Sequence, residues 1–243
     1  MHAKKFSAVI AGLVVTSSLT LAACSNEDTS DAASTASGTS SSASAMASET
    51  SSETAASSEY GEGVTESTKK ASLSDWNGSF RGFNSYLEED FIKEAMEEAS
   101  KEHGETTDEM RAELDESRGA DFEALVVNED EVTFVKSAKN LDKPSEKAVK
   151  YTFDKALDVK SDQHEFTWFI FKAEGVADHE YIALMPLHGE EALEHFHMRY
   201  GNSIDEILDP TKQGQSEDWY PTFVNPKTAT NDQIIESVVH HDH

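Results

Sequence analysis

Apolar residues change their period along this chain. Leu87, Phe91, Ile92, Ala95, Met96 and Ala99 fall three or four positions apart, the spacing of one helical face. Thr106 followed by Glu109 has the capping-box pattern, and it opens a second helix carrying Met110 and Leu114. From Asp121 the period drops to two. Residues 122–127 and 132–135 flank the polar Asn128-Glu129-Asp130-Glu131, which predicts a hairpin. Val149, Tyr151 and Phe153 then alternate with polar residues, 164–173 is rich in aromatics, and 181–187 is apolar. Short strands in succession, with no helices between them, predict an antiparallel barrel or curled sheet. Trp76 and Trp219 are expected to close its core. The helical period returns at 230–239, where Thr230 and Gln233 form a second capping pattern and Ile234, Ile235, Val238 and Val239 an apolar side.

The first seventy residues follow neither period. Lys4 and Lys5 precede a run of apolar residues diluted by Ser and Thr, ending in Leu21-Ala22-Ala23-Cys24. This has the layout of an export signal, and the run is too short and too polar to span a membrane. Its end resembles the lipobox of bacterial lipoproteins, in which the chain is cut before the cysteine and lipid is attached to it. Cys24 is the only cysteine in the sequence, so neither a disulfide nor a thiolate metal site is open to the rest. Multiple acyl chains on one residue make a stable anchor. Residues 25–70 are Ser, Thr, Ala, Gly and acids, with almost nothing to bury, and are expected to be a disordered tether. A tether of roughly 45 residues has a root-mean-square reach of about 35–40 Å. The organisation read here is a lipoprotein signal over 1–23, a lipid-anchored tether over 24–70 and one domain over 71–243. Formal net charge is −27, and it becomes −29 when residues 1–23, which hold Lys4, Lys5 and no acid, are removed. Phosphate backbones would repel such a chain, so nucleic acid is not an expected partner.

The chain has ten histidines, and His188, His195 and His197 crowd one short stretch. In a strand His195 and His197 share a face, with Phe196 and Met198 on the other. His188 ends the preceding strand, and 189–194 is short enough to bring the chain back beside it. Opposed Cβ atoms lie about 4.5–5.5 Å apart. Imidazoles reaching inward from there can meet a metal at about 2.0–2.1 Å from each nitrogen. A polar strand face is the competing reading. Imidazole suits zinc, and copper, nickel and iron use it too; cadmium is a further candidate ion. Glu190, Glu191 and Glu194 either supply a fourth ligand or solvate the loop. His240, His241 and His243, around Asp242, form a second cluster read as a weak secondary metal site or a plain tail. His103, His164 and His179 have no partner at chelating spacing and are expected on the surface.

Four stretches together resemble the ZinT (YodA) family of extracytoplasmic zinc-binding proteins. They are Leu73-Ser74-Asp75-Trp76-Asn77-Gly78, the hairpin Asn128 to Phe134, His188 with His195-Phe196-His197 and Gly201-Asn202, and Asp218-Trp219-Tyr220-Pro221-Thr222. The resemblance implies a mainly β fold with added helices, a calycin-like or lipocalin-like antiparallel barrel. It also implies a zinc ion bound by His188, His195 and His197. It points to a zinc-capturing lipoprotein that is not an enzyme, held outside the cytoplasm by lipid on Cys24. Such a protein passes its ion to the solute-binding component of a zinc ABC transporter. Two other classes stay open on the residues alone. Three histidines with an open fourth position can generate hydroxide for a hydrolase or hydratase, and a calycin barrel can hold a small apolar ligand, although inward imidazoles are at odds with a greasy cavity.

Overall fold

The computed structural model describes residues 60–161, 164–175, 177–189 and 193–239, without the side chains of residues 102 and 103. Cys24, most of the expected tether, Glu190, Glu191 and the cluster His240, His241 and His243 lie outside the described residues. Among the described residues nine strands pair antiparallel throughout: β1 (Val64–Ser67), β2 (Gly78–Gly82), β3 (Ala124–Asn128), β4 (Glu131–Val135), β5 (Val149–Lys160), β6 (Glu165–Ala173), β7 (Tyr181–Leu184), β8 (His195–Gly201) and β9 (Thr222–Val224). Their order is β1-β5-β4-β3-β2-β9-β8-β7-β6, and β5 pairs also with β6. That last pairing closes β2 to β9 into a ring, because the long β5 serves β4 at its start and β6 along the rest. Strand β1 lies outside the ring on β5, with Val64 opposite Val159 and Ser67 opposite Ala156. The tether read as running to residue 70 is therefore interrupted by a strand. Only Val64 in that stretch is apolar, and its pairing is with a partner nearly a hundred residues away, so no local pattern announces it.

Alternation fills the enclosed face of the ring. Phe80, Leu125, Val127, Val132, Tyr151, Phe169, Phe171, Leu184, Phe196, Met198 and Phe223 form one buried cluster, joined by Trp76 and Trp219. Both tryptophans are 2% exposed or less, as expected, and each indole N–H is satisfied, by Met185 O and by Gly119 O. Ring packing is edge-on at Phe80–Phe196, with centroids 5.0 Å apart, and stacked at Phe196–Phe223. His179 was expected on the surface; instead its ring packs against Phe134 and Tyr200, at 4.9 and 4.4 Å. Its neighbours come from other strands, which sequence spacing cannot reveal. Burial there holds its pKa below the ordinary histidine value, although Asp121 pulls the other way. His164 is exposed, as expected.

Helices cover part of the outer face. Helix α1 (Asp90–His103) packs Ile92, Met96 and Ala99 against Ile234, Val238 and Val239 of α4 (Asn231–Val239), with Leu193 and Val224 beneath. Helix α2 (Thr107–Arg118) begins at the expected capping box: Glu109 N donates to Thr106 Oγ1 at 3.2 Å and Thr106 N to the Glu109 carboxylate at 3.0 Å. Helix α4 has the same arrangement between Thr230 and Gln233. A short α3 (Ile204–Leu208) closes a smaller outer cluster around Trp168, Ile170 and Met185. Among the described residues no helix is long and apolar enough to cross a membrane.

Candidate metal centre

Three contacts set the frame on which the histidines stand. Trp76 donates to Met185 O and pins the end of β7. Met185 N donates to His197 O at 2.9 Å, continuing the register in which Leu184 faces Met198. Beyond it His188 and His195 exchange both backbone hydrogen bonds, at 3.0 and 2.9 Å, and so stand directly opposite. From Met185 to His188 is three steps, from His197 to His195 only two, so the β7 side carries a one-residue bulge. Gly189 follows with φ 83°, and the returning chain is anchored by Leu193, which is 4% exposed among the helical side chains.

Across the other edge of β8, His195 faces Val224 and His197 faces Thr222. Since Phe196 and Met198 occupy the enclosed core, the imidazoles point to the outer face. The expectation of inward imidazoles is thereby corrected: the interior is claimed by aromatic side chains, and alternation leaves His195 and His197 outside. His188 joins them there. Ring centroids are 4.0 Å apart for His188–His195, 5.3 Å for His188–His197 and 5.2 Å for His195–His197. One nitrogen from each ring lies within 4.8 Å of the others. A tetrahedral zinc asks for nitrogens about 3.3 Å apart, so small ring rotations bring the three onto one ion. His188 is exposed while His195 and His197 are half-buried, which leaves an approach from the His188 side.

The proton positions also favour a metal. His188 Nδ1 lies 2.9 Å from Pro186 O and His195 Nδ1 2.7 Å from Leu193 O. Carbonyl oxygens only accept, so both rings carry the hydrogen on Nδ1 and the lone pair on Nε2. His197 Nδ1 lies 2.8 Å from Thr222 Oγ1. Burial, with the nearby Arg118 charge second and the other two imidazoles after it, holds the His197 pKa well below the usual value, so this ring stays neutral and ready to ligate. Glu194 is half-buried and stands outside the three-histidine cluster. Sequence reasoning missed Thr222 and Arg118 as partners of the cluster. In the sequence Thr222 only ends the stretch Asp218 to Thr222, and Arg118 meets it from 104 residues away.

Comparison with known proteins follows the same lines. A Bacillus subtilis (strain 168) protein, the probable metal-binding protein YrpE, is 26% identical over 174 residues, covering 69% of this chain. The chain spans 64% of the length of that relative. Among solved structures, the Zn(II)-bound ZinT-like domain of Streptococcus pneumoniae AdcA is similar with a TM-score of 0.50 at 17% identity, over 70% of this chain and 91% of that one. Zn(II)-bound AdcA itself is similar with a TM-score of 0.51, over 71% of this chain and 36% of that one. At such identity the likeness shows the fold: mainly antiparallel sheet with a few helices. The family model described as ZinT (YodA) periplasmic lipocalin-like zinc-recruitment matches residues 54–241, nearly everything described above, and the chain belongs to that family.

Proposed function

We propose that this protein captures zinc outside the cytoplasm with His188, His195 and His197, and passes it to the solute-binding component of a zinc ABC transporter. The observation that carries the reading is the convergence of three imidazoles whose Nδ1 atoms are already engaged, with Pro186 O, Leu193 O and Thr222 Oγ1. Zinc is here the cargo. Three nitrogen ligands with a fourth position left to water or a visiting group permit exchange, whereas four fixed ligands tend to retain the ion. Placement on the outer face, with His188 at the rim, supports transfer to another protein. Related names point the same way: the relative YrpE is described as a probable metal-binding protein, and AdcA was solved with Zn(II) bound. The family is one of zinc recruitment and not of catalysis. The enclosed face is packed with aromatic side chains, which removes the motive for a small apolar ligand.

The remaining parts of the proposal come from the sequence. Residues 1–23 act as the export signal, Cys24 carries the lipid, and the Ser/Thr/Ala-rich stretch up to β1 tethers the domain to the membrane. His240, His241 and His243 follow directly on α4, whose Val238 and Val239 share a cluster with Leu193 beside the site, and they act as a weak secondary metal site. Competitive titration with zinc, cadmium, nickel and copper tests the main reading. His188→Ala, His195→Ala and His197→Ala are each expected to weaken zinc binding severely while the apo protein keeps its circular dichroism. Parent-like binding by all three variants would place the site elsewhere. Transfer to the recipient is expected to run faster than spontaneous loss to a chelator, and Cys24→Ser to free the protein from the membrane fraction.

A further inference from the structure

Thr222 is 1% exposed, and its hydroxyl oxygen serves three groups. It donates to Tyr220 O at 2.9 Å, and it lies 2.8 Å from His197 Nδ1 and 3.3 Å from Arg118 Nη1. A carbonyl can only accept and a guanidinium can only donate. The single hydroxyl hydrogen therefore goes to Tyr220 O, and the two lone pairs receive Arg118 and the Nδ1–H of His197. This arrangement is complete only when His197 keeps its hydrogen on Nδ1 and turns the Nε2 lone pair outward. Arg118 is held in place for this role. It ends α2, is 9% exposed, and belongs to a segment docked on the same stretch of chain. Tyr220 N donates to Ser117 O at 2.7 Å, and Trp219 Nε1 donates to Gly119 O at 2.9 Å.

We propose that Arg118 is a positioning residue for zinc that acts in two ways of opposite sign. Through Thr222 it holds His197 in the ligating tautomer, and its fixed positive charge, two hydrogen bonds from the His197 ring, weakens the hold on a dication so that the ion can leave. The inference rests on the reading of the three histidines as zinc ligands. Like charges in a partly buried setting repel appreciably even across two hydrogen bonds, while loss of the partner that orients a ligating histidine typically costs about 10–100-fold in metal affinity.

The two effects separate by substitution in the whole chain, with zinc alone as the probe, chelator competition for affinity and stopped-flow transfer to a chelator for release. Arg118→Gln retains an N–H donor and removes the charge; zinc is expected to bind about tenfold tighter and to leave correspondingly more slowly. Arg118→Lys, which keeps the charge, is expected to stay within about threefold of the parent. Thr222→Val is expected to bind about tenfold more weakly. Nitrogen-15 NMR of the unmodified apo chain is expected to show the hydrogen of His197 on Nδ1, a result that depends on no variant folding. A residue serving only the fold would instead give weaker binding and a lower melting temperature together in Arg118→Gln. Binding by Arg118→Gln no tighter than the parent's overturns the charge role, and an Nε2–H tautomer in the parent overturns the positioning role. If the parent binds no zinc, or binds it without the three histidines, the reading of the site falls and takes this inference with it. If it binds zinc there and Arg118→Gln is unchanged, the Arg118 inference alone fails.

Discussion

Replacing Gly189 by alanine probes the site without touching a ligand. Gly189 sits at φ 83°, a left-handed conformation that costs a residue with a Cβ about 1–2 kcal/mol. A Cβ built there would lie 2.3 Å from Leu193 O and 3.2 Å from His195 Nδ1. Carbon and oxygen normally approach to about 3.3 Å, so the chain must open by about 1 Å. Leu193 O is the oxygen that accepts from His195 Nδ1 at 2.7 Å, and Gly189 directly follows His188. One methyl group thus disturbs two of the three imidazoles. Strain that zinc must reverse in order to bind is subtracted from its affinity, and 1.4 kcal/mol is tenfold. Gly189→Ala is therefore expected to weaken zinc by at least about tenfold. The apo protein is expected to lose about 1–2 kcal/mol, a fall of a few degrees in melting temperature for a domain of this size. Chelator competition measures the first and differential scanning calorimetry the second. Zinc affinity within twofold of the parent would refute the reasoning, because the loop would then absorb the methyl group without moving its histidines.

Zinc at a free concentration of 100 times its Kd is expected to stabilise the domain by about 2.7 kcal/mol, seen as a melting temperature that climbs with zinc; a flat response contradicts a site confined to the folded state. Phe196→Ala empties a fully buried position between Phe80 and Phe223 and is expected to cost about 3–5 kcal/mol in urea unfolding. His197 is held neutral, with a folded pKa below its unfolded value of about 6.5. The unfolded state therefore binds the extra proton first, so apo stability is intact above that pH and falls as the pH drops toward the folded pKa, by at most about 1.4 kcal/mol per pH unit for this group. His179 adds in the same direction. Urea midpoints at pH 7.5 and 5.5 check the sign, and a higher midpoint at pH 5.5 refutes it.

Local chemistry was legible in the sequence wherever one element decides it. Both capping boxes, the helical stripe of Ile92, Met96 and Ala99 and the hairpin at 128–131 follow from neighbours within a few residues, and all form. The crowding of His188, His195 and His197 was equally plain, since a hairpin brings such positions together. What stayed hidden needs the third dimension. Strand alternation says that His195 and Phe196 face opposite ways, yet which side is enclosed depends on how the ring closes through β5 and β6. Arg118 reaches Thr222 only because α2 docks against the segment before β9. His179 is half-buried by rings from β4 and β8 and by Phe122, none of them near it in sequence.

The bulge between Met185 and His188 makes the centre a matter of odd and even. Without the bulge, at unchanged chain length, the unbroken register would set His188 opposite Glu194 and turn it toward the aromatic interior, reducing three ligands to two; deleting Pro186 or Leu187 removes the bulge and one residue together, so that His188 still stands opposite His195. Residues gained or lost within 189–194 have no such effect, because both ends of that loop are already committed to the His188–His195 pair. Relatives of this chain should therefore tolerate loops of many lengths after the first histidine and, before it, either the two residues that the bulge accommodates or a single residue without a bulge. A tally of histidines in a related sequence is then a poor guide to zinc binding, and the register of the first histidine against the second, bulge included, is a good one.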